Sequence, residues 1–389
     1  MIRKHVRKLA AVTLAAGAIT ATPFQAFAQR SPEFAYSAEK WATLRDSKLE
    51  FDEIKDLVHE YNPTVIQNEI SYKDYLTKDR DDVAQDYYDK ANEIYSNIEY
   101  PDSDDANYGS GVAAALRNEQ QAKSLMEQGD ENTDDQATMR IQYDQAEARL
   151  AKQAQELMIT YWTQYYNLDS QKARIEQAKN SYQSEQNRLA AGMSTQSKVL
   201  SAKESVSNAE AALVTAESNL ASTKESLCLM LGWSYGADVE IAELAEPDQS
   251  KIAAIDVNAD IQTALENSYA YRLTQKQLTN ARTDTVKEKL TETEKNQKET
   301  ISNSVKSAYD SLILAQSNYE QAQSALALEE VSMKSADAKL AAGTITKNTY
   351  ENQKASYTTA QVTAQTQKLS LLQAMVDYDW AVNGLASAE

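Results

Sequence analysis

The sequence predicts an all-α protein made of two long antiparallel coiled-coil hairpins that repeat one design. Three observations carry this. The phrase Arg188-Leu189-Ala190-Ala191-Gly192 returns 151 residues later as Lys339-Leu340-Ala341-Ala342-Gly343, and each copy interrupts a heptad pattern at its glycine. Glycine and proline number only 9 and 5 in 389 residues, which leaves few turns and long elements. No sustained apolar–polar alternation marks a sheet, so little or no β-structure is expected.

The duplication extends beyond the phrase. Upstream of the first glycine, Leu189, Tyr182, Ile175, Leu168, Tyr161 and Ala154 recur every seven residues. At the same offset of 151 stand Leu340, Met333, Leu326, Tyr319, Leu312 and Val305. Downstream, Val199, Ala202, Val206, Ala209, Leu213 and Ala216 begin a 3-4 spaced seam that runs to Met230, and its counterpart starts at Tyr350 and Gln353. A seven-residue repeat puts one seam on one side of a helix, so a second helix must cover it.

The elements follow in chain order. Arg3, Lys4, Arg7 and Lys8, the apolar run Leu9 to Thr22 and Ala26-Phe27-Ala28 read as a secretory leader cut after Ala28. No cysteine follows that point, so no lipid anchor is suggested. A helix is expected over 38–60, a second from Pro63 to about 97, and a third over 112–128, with acidic loops at 96–111 and 129–135 between and after. The first long helix spans about 136–191, roughly 80 Å at 1.5 Å per residue. Gly192 should end it in the left-handed region, and Ser194 or Thr195 should cap the return helix to about Leu231. Residues 233–259 form a linker, with an extended piece at Val239-Glu240-Ile241. A short helix from Asp260, a break near Tyr269 and a helix to about Leu290 follow. The polar run 291–300 either turns or continues the helix. A second long helix covers 301–342, Gly343 ends it, and Thr346 opens the last helix, to about Asn383. The domains are therefore 1–28 leader, 29–232 first repeat, 233–259 linker and 260–389 second repeat.

Charge and composition exclude several functions. Loss of the four basic leader residues takes the formal net charge from −19 to −23, which argues against nucleic acid and anionic lipid as partners. Cys228 stands alone and reads as a packed side chain. The acidic clusters Asp79-Asp81-Asp82 and Asp102-Asp104-Asp105 lack the spacing of a calcium loop and read as solvated loop charge. His59 is the only histidine after the leader, and no nucleophile–base pair or phosphate-cradling loop is present. No enzyme, cofactor or metal is expected. The seam tyrosines and Trp162, Trp233 and Trp380 read as packing residues. Leu369, Leu372 and Val376 lead to Trp380 as a second seam on the last helix.

Placed in order, several segments make the chain resemble the TolC family of outer-membrane efflux proteins. Leu49-Glu50-Phe51-Asp52-Glu53-Ile54-Lys55-Asp56-Leu57-Val58 and then Tyr61-Asn62-Pro63-Thr64-Val65 resemble the family's opening. Ala264-Leu265-Glu266-Asn267 before Tyr271-Arg272-Leu273 resembles its second copy, and Leu227-Cys228-Leu229-Met230-Leu231-Gly232 the close of the first repeat. The resemblance covers nearly all of the chain after the leader. It implies a homotrimeric helical tunnel whose hairpin tips meet an adaptor (a membrane fusion protein) and an inner-membrane transporter. The candidate contact residues are Arg188, Gly192, Thr195, Lys339, Gly343 and Thr346; the glycines and threonines also serve simply to stop and start helices. It also implies a cell-envelope location and a membrane β-barrel, yet no segment here has the alternating, aromatic-flanked pattern of barrel strands. The expectation is therefore a TolC-like export conduit without the barrel. A structural or adhesive envelope coiled coil is the alternative.

Overall fold

A computed structural model describes residues 30–104 and 107–386. The leader read at 1–28, and with it His5, lies outside the described residues, as does Asp105. In chain order the elements are α1 (Ala38–Leu44), β1 (Lys48–Leu49), α2 (Ile54–Tyr61), α3 (Pro63–Tyr72), α4 (Arg80–Ser96), α5 (Tyr108–Glu131), α6 (Gln136–Ala190) and α7 (Gln196–Met230). After the linker strand β2 (Glu240–Ile241) come α8 (Gln249–Ala253), α9 (Val257–Asn267), α10 (Tyr269–Asn280), α11 (Asp284–Ala341) and α12 (Lys347–Trp380). The fold is all-α apart from one parallel pairing, Lys48 with Glu240 and Leu49 with Ile241.

The heptads place the long helices. Along α7, Val199, Leu227 and the seam positions between them are the sheltered ones, while the rest of the helix is largely exposed. On α11, Val305, Leu312 and Tyr319 are buried, and on α6 Ala154, Leu168 and Ile175. Thus α6 packs on α7 and α11 on α12, and α12 in turn lies against α6. The panel order is α7–α6–α12–α11, with α7 and α11 at the edges.

The second seam on α12 is real. Leu369 and Trp380 belong to one core with Met158, Leu227 and Trp233, whereas Leu371 and Tyr378 belong to another with Ile301, Val305 and Leu312. Polar contacts fasten the same joint. Trp380 Nε1 donates to Gln155 Oε1 at 2.8 Å, and Lys152 Nζ pairs with Asp377 Oδ1 at 2.8 Å. Both partners of each bond sit on opposite hairpins, so the seam couples the repeats.

Several boundaries differ from the sequence reading, each for a physical reason. The helix expected over 38–60 is split, because Lys48–Leu49 leaves it to pair with the linker 192 residues on. The helix expected over 63–97 breaks before α4, where the Asp79 side chain accepts from the amides of Asp81 and Asp82 and starts a new helix. The break expected at 129–135 starts later, after Glu131: Gly129 stays helical, and a Cβ there would sit 2.4 Å from the Tyr88 ring. The expected helix to Leu290 ends instead at Asn280, and Thr283 caps α11 by accepting from Val286 N. Residues 291–300 continue α11, and Lys298 pairs with Glu294 one turn away at 3.2 Å.

The duplication also appears in contacts. Asn62 Nδ2 donates to Met230 O at 2.8 Å and Asn267 Nδ2 to Val382 O at 3.3 Å. Two residues beyond each carbonyl stands a glycine of positive φ, Gly232 (90°) and Gly384 (120°), each against an aromatic residue, Tyr61 or Tyr269. Asn plus glycine closes each repeat in the same way.

Cys228 lies in the first core, and burial pushes its thiol up to about 11. The thiolate is the reactive form, so a folded chain at pH 8 is expected to resist alkylation. Iodoacetamide labelling followed by mass measurement should show modification only after denaturation; rapid native labelling contradicts this packing.

Candidate functional site

Each hairpin tip is closed by the repeated phrase itself. Gly192 has φ 72° and Gly343 φ 68°. Gly192 N–H donates to Leu189 O at 2.9 Å and Met193 N–H to Arg188 O at 2.7 Å. Gly343 N–H likewise donates to Leu340 O at 3.0 Å and Thr344 N–H to Lys339 O at 2.9 Å. This paired 5→2 and 6→1 pattern ends a helix with a left-handed residue, which explains why both phrases end in glycine. The return helices start alike: Thr195 Oγ1 accepts from Lys198 N at 3.4 Å, and Thr346 Oγ1 from Thr349 N at 3.1 Å.

The two tips lie side by side. Asn187, Arg188 and Met193 from the first hairpin line one groove with Lys347, Asn348 and Glu351 from the second, about 440 Å³ in volume. Farther up the same joint, Glu176 and Asn180 face Asn352 and Ala355 across a groove of about 360 Å³. Arg188 is the one candidate contact residue that lines the tip groove; its guanidinium also pairs with Glu185 at 3.1 Å. Gly192, Thr195, Lys339, Gly343 and Thr346 cap or turn the chain without lining that groove. Sequence reading missed Asn348 and Glu351, although they stand three residues apart on α12, the spacing of a helix face.

A Cβ at Gly192 or Gly343 would meet nothing within 4 Å. Gly192→Ala and Gly343→Ala should therefore cost only the left-handed backbone strain, about 1–2 kcal/mol each. Thermal unfolding of the two variants checks this, and a cost several times larger contradicts the open geometry.

A belt from the linker supports the hairpins at mid-height. Trp162 Nε1 donates to Ala242 O at 2.9 Å, and Tyr166 OH donates to Glu243 Oε1 at 2.5 Å. Burial, and then the Glu243 carboxylate, push the Tyr166 phenol well above its ordinary range. Lys368 on α12, buried, reaches Glu246 Oε1 at 2.9 Å, and Tyr319 OH donates to Glu246 Oε2 at 3.2 Å. The linker thus touches α6, α11 and α12, which no local pattern announces.

The first acidic cluster serves local structure. Asp79 caps α4, and Asp81 pairs with Arg80 at 2.8 Å and with Arg282, whose guanidiniums hold its carboxyl below the usual range. Among the described residues no group of three or more His, Cys, Asp or Glu side chains is placed to hold a metal ion. Among them, too, no helix is long and apolar enough to cross a membrane.

No family model matches the chain, and no curated protein matches it in sequence. Solved structures do. The chain is similar to CusC, described with transmembrane channel formation, at 12% identity and TM-score 0.52, over 94% of this chain and 97% of that one. It is similar to the outer-membrane channel OprN at 10% identity and TM-score 0.50, over 93% and 97%. The outer membrane protein VceC of Vibrio cholerae shows 12% identity and TM-score 0.49, over 86% and 96%. At such identities the likeness to CusC and OprN is one of fold. The chain has a TolC-like fold with almost no strand.

Proposed function

We propose that this chain is one protomer of an exported TolC-like efflux or export conduit in the cell envelope. Three copies close into a helical tunnel, and the tips dock a periplasmic-type adaptor (a membrane fusion protein) and an inner-membrane transporter. The chain acts passively: it performs no catalysis, the tips engage, the hairpins part and cargo passes through the lumen. Arg188, Gly192, Thr195, Lys339, Gly343 and Thr346 form the docking surface in this reading, with Asn348 and Glu351 beside them. The repeats are 29–232 and 260–389, joined by the linker 233–259.

The observation that carries the reading is the panel α7–α6–α12–α11. Both hairpins point the same way, their tips share a groove, and the outer faces of α7 and α11 bear exposed apolar side chains. Leu200 and Val214 on α7 are 58% and 65% exposed, and Leu314, Leu328 and Val331 on α11 are 62%, 67% and 64% exposed. A row of such side chains on an edge helix calls for a neighbour. The fold likeness to CusC and OprN supports the same arrangement. Mass measurement on the purified processed chain, with imaging of the particle, tests it. A trimer with a central pore is expected; a monomer or a dimer sinks the tunnel.

One observation favours the alternative of a structural or adhesive envelope protein. Between α3 and α6 the chain carries the acidic helical hairpin α4–α5, and between α10 and α11 only a short break. A trimer without a continuous lumen would favour that reading.

A further inference from the structure

Neither tips nor tunnel account for a cleft on the linker face of the panel, where the two cores meet. It lies over α12, between the segment that precedes α2 and the linker helix α8. Its larger arm holds about 630 Å³, with Leu312, Leu372, Met375 and Val376 as floor and Ile252 and Ile255 as one wall. Leu372 and Val376 lean on the first core, and Met375 and Ile255 on the second, yet all four stay only partly buried. A shorter arm of about 470 Å³ runs on toward β1 and β2. The two arms share Phe51, Asp52 and Leu372, so they form one trough. Along α12 the lining of the larger arm reaches from Leu372 to Asp379, roughly 10 Å.

The rim is acidic once its own ion pairs are set aside. Lys55 Nζ lies 3.7 Å from Asp379 Oδ2, Lys48 pairs with Glu50, and Lys251 stands three residues from Asp248. Asp260 Oδ2 accepts from Tyr378 OH at 2.7 Å, and Glu243 accepts from Tyr166 OH. Those phenols hold the two carboxylates without neutralising them. Asp52 takes part in no ion pair among the described residues, and it sits beside Phe51 where the arms join. A carboxylate next to an aromatic ring, at the mouth of an aliphatic trough, suits an ammonium head with an alkyl tail. An anionic head would meet repulsion from Asp52, Asp260 and Glu243.

We propose that this cleft binds one long-chain organic ammonium, with its tail in the larger arm and its head at Asp52. The floor is aliphatic, and the unbranched Met375 adapts to a flexible chain. Each methylene taken out of water adds to the binding, while the head fixes the orientation. The bound cation touches the segment before α2, the linker and α12 together. It therefore fastens the first repeat, the linker and the second repeat to one another. The inference is independent of the conduit reading, because the cleft lies within a single chain and away from the tips.

Calorimetric titration of the purified folded chain tests it, with each amphiphile kept below its micelle concentration. Dodecylammonium is expected to bind at one per chain, at least ~10-fold more tightly than dodecanoate or octylammonium. Asp52→Lys is expected to weaken dodecylammonium at least ~5-fold and to tighten dodecanoate. Met375→Trp fills the larger arm and is expected to abolish binding of both. Hydrogen exchange with dodecylammonium bound should slow at residues 51–56 and at α8, and stay unchanged at the two tips. Equal affinity for the cation and the anion, many equivalents per chain, or unchanged binding by Asp52→Lys overturns the proposal. If Met375→Trp fails to fold, Asp52→Lys and the exchange pattern decide.

Discussion

Gly232→Val is expected to destabilise the chain by about 4 kcal/mol and to lower Tm by about 5 °C. Two costs combine. Gly232 sits at φ 90°, where an L side chain is strained by about 1–2 kcal/mol. A Cβ there would also lie 2.4 Å from Tyr61 Cβ and 2.9 Å from the Tyr61 carbonyl oxygen. Tyr61 is buried, and Asn62 beside it is tied to Met230 O, so neither side can retreat cheaply. Relief requires a backbone shift of the kind that costs a further 1–3 kcal/mol, roughly. Gly192→Val is the control, since it shares the strain but has open space. Equal unfolding free energies for the two variants would show that the contact with Tyr61 contributes nothing.

Trp380→Ala is expected to cost about 3–5 kcal/mol and to loosen one hairpin from the other. The ring is 6% exposed within the first core, Lys55 Nζ lies 4.4 Å from its centroid, and its Nε1 holds the buried Gln155. Trp380→Phe keeps most of the volume but strands Gln155 Oε1, which predicts about 1–3 kcal/mol. Hydrogen exchange provides the positional check. In both variants the amides of α6 near Gln155 and of α12 near Asp377 should exchange faster, while α7 and α11 near the tips stay protected. Uniform acceleration along all four helices would mean that Trp380 supports the whole fold and not the joint.

Much of this architecture was legible in the sequence because it is periodic. The heptads on α6, α7 and α11 name the sheltered side chains directly, and the tip phrase encodes its own cap. What was hidden depends on distant partners. Nothing near Lys48 shows that it will pair with Glu240, and nothing near Arg30 shows that Glu147 will meet it. Gly129 misled for a related reason, since a glycine chosen for close approach to Tyr88 looks like one chosen for a turn. The polar run 291–300 has no apolar seam to follow, and ion pairs one turn apart carry the helix through it. For the candidate site, the capping residues were found by repetition, whereas the groove between the tips was not. Asn348 and Glu351 become neighbours of Arg188 only when the hairpins lie together.

The edges of the four-helix panel are unlike: α7 bears Leu200 and Val214, α11 bears Leu314, Leu328 and Val331. In the proposed assembly α7 of one copy would meet α11 of the next, a heterologous, head-to-tail contact, and the angle turned at each joint would decide between a closed ring and an open spiral. Such a joint has a genetic consequence. A chain damaged only on α7 and a chain damaged only on α11 each fail with themselves, yet when mixed they rebuild one sound joint per pair. The mixture can then lengthen no further, and stops at heterodimers.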